Sequence, residues 1–482
     1  MWWAKRRIHV SWLIAIIFFG VVVGVSLAPM VPRGLFGNFG WLILSAMLGV
    51  WVIKSRRLYL IAIALIAGVL IGLWRSDGLL NNLTVYENLV DHTVVLRGKI
   101  LEDADVDSSG QTMLRVGDIS VNDEPLQGKV WVSVSETELK RSDYIEVQGE
   151  LGKGFGTFSA AMYRAQVISY QPVEGGDVAR DVRDKFSIQV QKHIDEPAVS
   201  LGLGYLTGQR RGLPPELLEV LRVAGLTHVI VASGYNLTIL IRLTRRLFDK
   251  HSKYLATAVP AGLVISFIAI TGMSPSMSRA GLVTGLSLAA WYYGRRFHPL
   301  VLLSIVAGIT VLIEPSYAWG DIGWLLSFSA FTGVMIFAPL LQAYFFGDKP
   351  PGNLRQILGE TMSAYLFTLP IIAISFGEFS NVALMANLMI LPLIPIAMIG
   401  VFLTGVASLV LDPLGAVFAW PTSIVLDYMI RAAEFWSSQS WATTQISLSW
   451  WWAGAACAVL LVICIYLRLK TNLSLRASSI VD

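Results

Sequence analysis

Charge is what this 482-residue chain has least of. Asp, Glu, Lys and Arg make up 15% of it against 55% hydrophobic residues, where a globular domain carries roughly 25% charged residues. That excludes a protein wholly dissolved in water. Cysteine is nearly absent. Cys457 and Cys464 are the two, spaced i, i+7 on one face of the last apolar run, and small packing residues explain them better than a disulfide or metal thiolates. The six histidines, His9, His92, His193, His228, His251 and His298, are scattered with no metal-ligand spacing. No GxxxxGK[ST] segment occurs, so ATP-driven pumping by this polypeptide has no support. No cofactor and no metal are expected, and the chain is read as a non-enzyme.

What is present is one hydrophobic run after another. Stretches of about 15–25 apolar residues recur from Ile8 onward, and about 20 suffice to cross a bilayer. Three come first, near 8–27, 39–53 and 58–74. The first follows Lys5, Arg6 and Arg7 as a signal peptide would. It is long and lacks a small-x-small cleavage site, so a retained transmembrane helix is the better reading. Nine more centre on 224–242, 254–272, 279–293, 298–313, 321–342, 355–376, 381–408, 414–436 and 447–467. The sum is about twelve transmembrane helices, and 279–293 is short enough to be re-entrant. Lys and Arg gather at Lys5–Arg7, Lys54–Arg57, Arg242–Lys253, Arg295–Arg296, Lys349–Arg355 and Arg468–Arg476. The alternate loops GMSPSMS, EPSYAWGD, GEFSN and SSQSWATTQ are nearly free of them. The positive-inside rule therefore puts both termini in the cytoplasm.

Between these blocks the texture changes. TVVLRGKILED, TMLRVGDISV, GKVWVSV, DYIEVQGELG and YRAQVISYQ alternate apolar and polar residues, the pattern of about five half-buried strands. An extracytoplasmic OB-like β domain over 77–175 is expected. It is acidic, which argues against strong phosphate binding by its whole surface, although Trp131, Tyr144 or Phe158 would suit base stacking. Residues 176–223 read as amphipathic surface helices. The full division is 1–76 (three membrane helices), 77–175, 176–223, 224–470 (the main helical bundle) and 471–482 (cytoplasmic tail). The fold class is thus a polytopic α-helical membrane protein carrying a small all-β domain.

The most informative segment is LTGQRRGLPPELLEVLRVAGLTHVIVASGYNLTILI, residues 206–241. Its apolar part holds His228, Ser233, Gly234 and Asn236, and polar groups at membrane depth are costly unless paired or facing water. The Ser233-Gly234 pair invites a helix break, as in spans that line a cavity. A tightly packed helix with its polar groups bonded to neighbours accounts for the same residues equally well. Arg210 and Arg211 stand just ahead of the break and Arg279 at the outer end of another span. Positive charge there suits the mouth of a polyanion path, or lipid headgroups. Asp321 would repel phosphate, so a helix cap or a pairing with a cation is expected for it.

This segment resembles the signature of the ComEC family of competence proteins, an approach helix followed by a gxxHLLaISGLHvg-like motif, with Thr227-His228 and Ser233-Gly234 in register. Where the family commonly has a second histidine this chain has Asn236, which cannot titrate. The resemblance continues through SPSMSRAGLVTGLSLAAWYYGRR with Arg279. IEPSYAWGDIGWLLSFSAFTGV carries it in Pro315, Asp321, Gly323, Leu326, Ser327 and Phe328. The stretch 367–396 carries it in Pro370, Phe376, Gly377, Asn387, Pro392 and Pro395. It implies a bacterial inner-membrane channel for uptake of single-stranded transforming DNA. On that reading Arg210, Arg211, His228, Ser233, Gly234 and Asn236 line the DNA pathway. Arg279, Asp321, Ser327, Asn387 and Pro392 position helices or line the path. The implied partners are single-stranded DNA, membrane lipids, a DNA receptor and a cytoplasmic motor ATPase. Many family members carry a C-terminal metallo-β-lactamase-like domain with an HxHxDH motif. That motif does not occur here, so a separate nuclease is expected. A transporter of another anionic polymer or lipid-linked precursor, and a membrane scaffold for a nuclease, are the competing readings.

Overall fold

The structure, a computed structural model, describes residues 7–106, 110–135, 139–173, 175–209, 212–230, 234–248, 250, 252–272, 274–295, 297–347, 352–446, 449–471 and 473. From the N-terminus come α1 (Val10–Leu27), α2 (Phe39–Ser55) and the long α3 (Ile61–Leu89). The strands follow: β1 (Thr93–Ile100), β2 (Asp105–Val106), β3 (Thr112–Val121), β4 (Glu124–Leu126), β5 (Val130–Val134), β6 (Tyr144–Lys153) and β7 (Ala160–Gln171). Next are α4 (Val178–Gln191), α5 (Ala198–Thr207), α6 (Pro215–Val223), α7 (Thr227–Ile230), α8 (Gly234–Phe248), α9 (Leu255–Thr271) and α10 (Pro275–Tyr292). Then come α11 (Pro299–Ile313), α12 (Tyr317–Gly320), α13 (Ile322–Thr332), α14 (Ala338–Phe346) and α15 (Asn353–Phe376). The chain continues through β8 (Glu378–Ser380), α16 (Ala383–Ile390), α17 (Ile394–Val410), α18 (Asp412–Ser437), β9 (Thr443–Gln445) and α19 (Trp450–Thr471).

Two units emerge, 1–175 with 297–325, and 176–296 with 326–482. In the first, α1 and α3 meet through two G-x-x-x-G pairs, Gly20 with Gly24 and Gly68 with Gly72. A Cβ on any of the four would run into a backbone carbonyl of the facing helix: Leu65, Val69, Ile17 or Val21. Small residues at that spacing let helix backbones touch where lipid offers no hydrophobic drive for association. The barrel takes shape because the period-2 pattern of β1, β3, β5, β6 and β7 sends Leu96, Ile100, Leu114, Val116, Val130, Val132, Ile145 and Val147 to one side. The strands close in the order β1-β6-β7-β5-β3 and back to β1, with β5–β7 parallel and the other pairings antiparallel. That is the connectivity of an OB-like barrel.

Three features depart from the sequence expectation. First, α3 does not end near Trp74. It runs through Asp77, buried with its Oδ1 accepting from the Gly34 N–H at 2.8 Å, to Leu89, and plants Tyr86 in the barrel core. The periodicity favoured a boundary at 77 because hydropathy falls there, yet burial against protein replaces burial in lipid. Second, α11 belongs with the N-terminal unit rather than with the main bundle. It packs on α1, with Gly308 against Phe18, and Arg75 of α3 caps its last carbonyls, Nε to Leu312 O at 2.8 Å and Nη2 to Ile313 O at 2.9 Å. The Trp12 and His298 rings lie 4.9 Å apart at its start, and Lys129 of the barrel pairs with Glu314 at 3.4 Å at its end.

Third, the region expected to hold surface helices contains the most buried helix of the second unit. Along α5 every residue but Leu206 is buried, and its Gly202 faces Val401 and Leu426. The small residues of AVSLGLGYLT allow that close packing, while α4 and α6 keep one polar face each, as their amphipathic patterns require. Around α5 pack α4, α6, α16, α17 and α18. A smaller core joins α8, α9 and α10 through Leu237, Ile241, Val264, Phe267 and Leu288. Among the described residues, seven helices are long and apolar enough to cross a membrane: 10–30, 58–89, 322–346, 355–376, 383–410, 412–437 and 451–471. The helices 39–55, 255–271 and 299–313 are apolar but shorter. Two of the long rods are interrupted, 322–346 by a π turn at Gly333–Phe337 and 383–410 by a 3-10 turn at Leu391–Leu393. Prolines at 392 and 395 explain the second, since each removes a backbone donor.

Candidate functional site

The signature segment begins with α6, which stops in a Schellman motif. The Leu226 N–H donates to Leu221 O at 2.8 Å and the Gly225 N–H to Arg222 O at 3.0 Å, with Gly225 at φ +72°. Both leucines are buried in the main core, the apolar contact that accompanies such a cap. A Cβ at Gly225 would stand 2.5 Å from the Ala383 Cβ and 3.3 Å from the Ser380 Cβ, so the turn lies directly on α16. That turn delivers α7 and His228. The His228 side chain is exposed, and its ring bonds the Gly225 carbonyl.

From α8, Gly234 approaches α10, where a Cβ would come 3.2 Å from that of Ala280, the neighbour of Arg279. One helical step on, Asn236 is fully buried and donates from Nδ2 to Tyr205 O at 3.0 Å, tying α8 to the end of α5. The Arg279 side chain is itself buried, 3% exposed. A guanidinium withdrawn that far from water demands strong compensation. On α16, Asn387 is buried and donates from Nδ2 to Ala383 O at 2.8 Å, while its Oδ1 has no hydrogen-bond partner among the described residues. The residues that the sequence singled out are thus tied pairwise, Asn236 to α5, Gly234 to α10 and the turn before His228 to α16, while Arg279 and Asn387 are buried on α10 and α16.

Of the other sequence candidates, Arg210, Arg211 and Ser233 fall outside the described residues. Asp321 sits in the first unit immediately before α13, half-buried rather than buried, with Oδ1 over the first turn, where a Gly323 Cβ would be 3.0 Å away. That is the place of an N-capping carboxylate. Ser327 is half-buried on α13, and Pro392 forms the 3-10 interruption.

Sequence reasoning missed two groups. Arg222 binds Glu219 through Nε at 2.8 Å and Nη2 at 2.7 Å, and reaches Glu378 from Nη1 at 2.8 Å. These bonds hold both glutamates below the usual carboxylate range and raise Arg222. The arrangement pins the end of α6 to the β8–β9 pair. Glu219 and Arg222 at i, i+3 were visible in the sequence, but nothing there named Glu378. The second group surrounds Gln209. Its Oε1 accepts from Ser187 Oγ at 2.8 Å and its Nε2 donates to Asp184 Oδ1 at 3.3 Å, an oxygen that also accepts from Arg183. Ser187, buried Arg183 and Asp184 on α4 therefore hold the start of the signature segment.

Comparison with known proteins bears on the same residues. A family described as Competence protein matches residues 205–471. An uncharacterized protein of Aquifex aeolicus (strain VF5) is 24% identical over 342 residues, 67% of this chain and 78% of that protein. ComE operon protein 3 of Bacillus subtilis (strain 168) is 24% identical over 239 residues, 46% of this chain and 30% of that protein. The chain therefore covers less than a third of the Bacillus protein's length. No solved structure matches. The family match spans more than half of the chain and opens at Tyr205, the residue whose carbonyl holds Asn236: this chain belongs to the competence protein family.

Proposed function

We propose that this protein is a bacterial inner-membrane channel that passes single-stranded DNA into the cytoplasm during natural competence. The observation that carries the reading is the exposed His228, which follows the Gly225 turn seated on α16 within the family-matched residues. Interrupted rods, here at 333–337 and 391–393, are how membrane proteins place hydrogen-bonding groups at depth. On this reading the helices 39–55, 234–248, 255–271, 275–292 and 299–313 add to the seven longer ones to give twelve crossings, the β barrel lies outside and both termini lie inside. Arg210 and Arg211 receive the strand, and His228 and Asn236 stand along its path. Strand degradation and pulling force come from a separate nuclease and a motor ATPase, and delivery from a DNA receptor.

Cells lacking this protein and offered labelled DNA test the reading. Label should bind outside and fail to reach the cytoplasm, and His228→Ala should reproduce the defect with the protein present in the membrane. Undiminished cytoplasmic label overturns the proposal. Normal DNA entry with loss of an exported polymer or lipid precursor would assign the path to that cargo instead.

A further inference from the structure

At the opposite end of α8 from Gly234 and Asn236 lies a second cluster. The C-terminal end of α8, the start of α9 and the end of α10 come together there, because the three helices run antiparallel in turn around one small core. Arg245 of α8 stacks on the Trp291 ring of α10 with its guanidinium carbon 4.1 Å from the ring centroid. Lys253, just ahead of α9, sets Nζ 6.0 Å from Trp291 and 5.6 Å from Tyr292. Arg242, Lys250, Lys253 and Arg295 are exposed at the same end. Among the described residues of 242–254 and 291–295 every charged side chain is basic, and Asp249 is the one acid in the sequence between them. Exposed apolar and aromatic side chains border the cations: Leu243, Leu247, Tyr254, Leu255 and Tyr293.

We infer that this end of α8–α10 binds the headgroup of an anionic phospholipid. Two features favour a lipid over a nucleic acid strand. Arg245 already stacks on Trp291 and Lys253 stands 6.0 Å from its centroid, so cations compete with any base for that ring. The cations stand directly beside exposed leucines, and a ligand with a phosphate next to acyl chains satisfies both surfaces at once. The observations for this site are independent of those for the signature segment, but α8 joins the two regions. A headgroup drawn against Lys253 and the exposed arginines fixes the end of the helix whose other end carries Asn236.

The test is native mass spectrometry of the purified full-length protein in detergent, offered phosphatidylglycerol or phosphatidylcholine. Preferential retention of phosphatidylglycerol is expected, falling roughly five-fold for each cation removed in Lys253→Gln and in Arg245→Gln/Lys253→Gln. Arg245 helps pack α8 on α10, so the exposed Lys253→Gln variant carries the test if the double variant does not fold. Equal retention of the two lipids overturns the inference. So does a Lys253→Gln variant that keeps phosphatidylglycerol but loses binding to an oligothymidylate, which would make the surface a nucleic-acid contact.

Discussion

Gly225 offers the sharpest test of the signature turn, and Gly225→Ala is the perturbation. Two costs add. A residue with a Cβ held at φ +72° gives up about 1–2 kcal/mol relative to glycine. The new methyl would lie 2.5 Å from the Ala383 Cβ and 3.2 Å from its Cα, and overpacking of that kind costs about 1–3 kcal/mol. The expected loss is therefore about 2–5 kcal/mol, enough to lift the turn that precedes α7 off α16. The two parts separate in a double-mutant cycle. Ala383→Gly removes the struck methyl and leaves the backbone strain, so Gly225→Ala/Ala383→Gly should recover only the steric share. The single Ala383→Gly change costs about 0.5–1 kcal/mol through helix propensity. Unfolding free energies can be read from titration of the detergent-solubilised protein into SDS, followed by ellipticity. A Gly225→Ala loss below about 0.5 kcal/mol, or a cycle with no favourable coupling, would refute the close approach of this turn to α16.

Two further outcomes follow from the site. Asn236→Leu keeps the volume and strands the Tyr205 carbonyl, so a loss of about 1–3 kcal/mol is expected; Asn236→Asp should be worse at neutral pH because an acceptor then faces an acceptor, and equal stability of the two variants would speak against the bond. The Arg222 cluster predicts a pH dependence: Glu219 and Glu378 are held below their ordinary values, so the unfolded chain takes up protons first, and the stabilisation is complete above about pH 4.3 and lost as pH falls through the depressed values. With these groups partly exposed the gain is within about 1 kcal/mol per pair, so the thermal midpoints of wild type and Glu378→Gln should differ at pH 7 and converge once the pH has fallen below the depressed carboxylate values.

The parts of the fold legible in the sequence were those where one period dominated. The five barrel strands fell where alternation placed them, from TVVLRGKI to the AQVISYQ of β7. The small-residue pairs at Gly20, Gly24, Gly68 and Gly72 were equally present in the sequence, yet only the coordinates reveal which helices they join. Hydropathy misassigned α5 because AVSLGLGYLT is short and lies among charged neighbours, although its side chains are nearly all buried. Of the candidate site, His228, Gly234 and Asn236 were named from polar and helix-breaking residues within an apolar run, Arg279 from charge at the end of a span, and Asn387 from the family resemblance. Tyr205 acts through a backbone carbonyl, which has no sequence signal, and Glu378 depends on a pairing across 156 residues.

The placement of α11 also sets an order of assembly. Its partner surface on α1, around Phe18, and the Arg75 donors on α3 are made early, whereas Gly308 and the carbonyls of Leu312 and Ile313 emerge from the ribosome more than two hundred residues later. At about 5–20 residues per second that interval is on the order of tens of seconds. During it α1 waits in the bilayer with one groove filled by lipid or by the insertion machinery. The first unit to begin synthesis is thus unable to finish folding until much of the second has been threaded into the membrane.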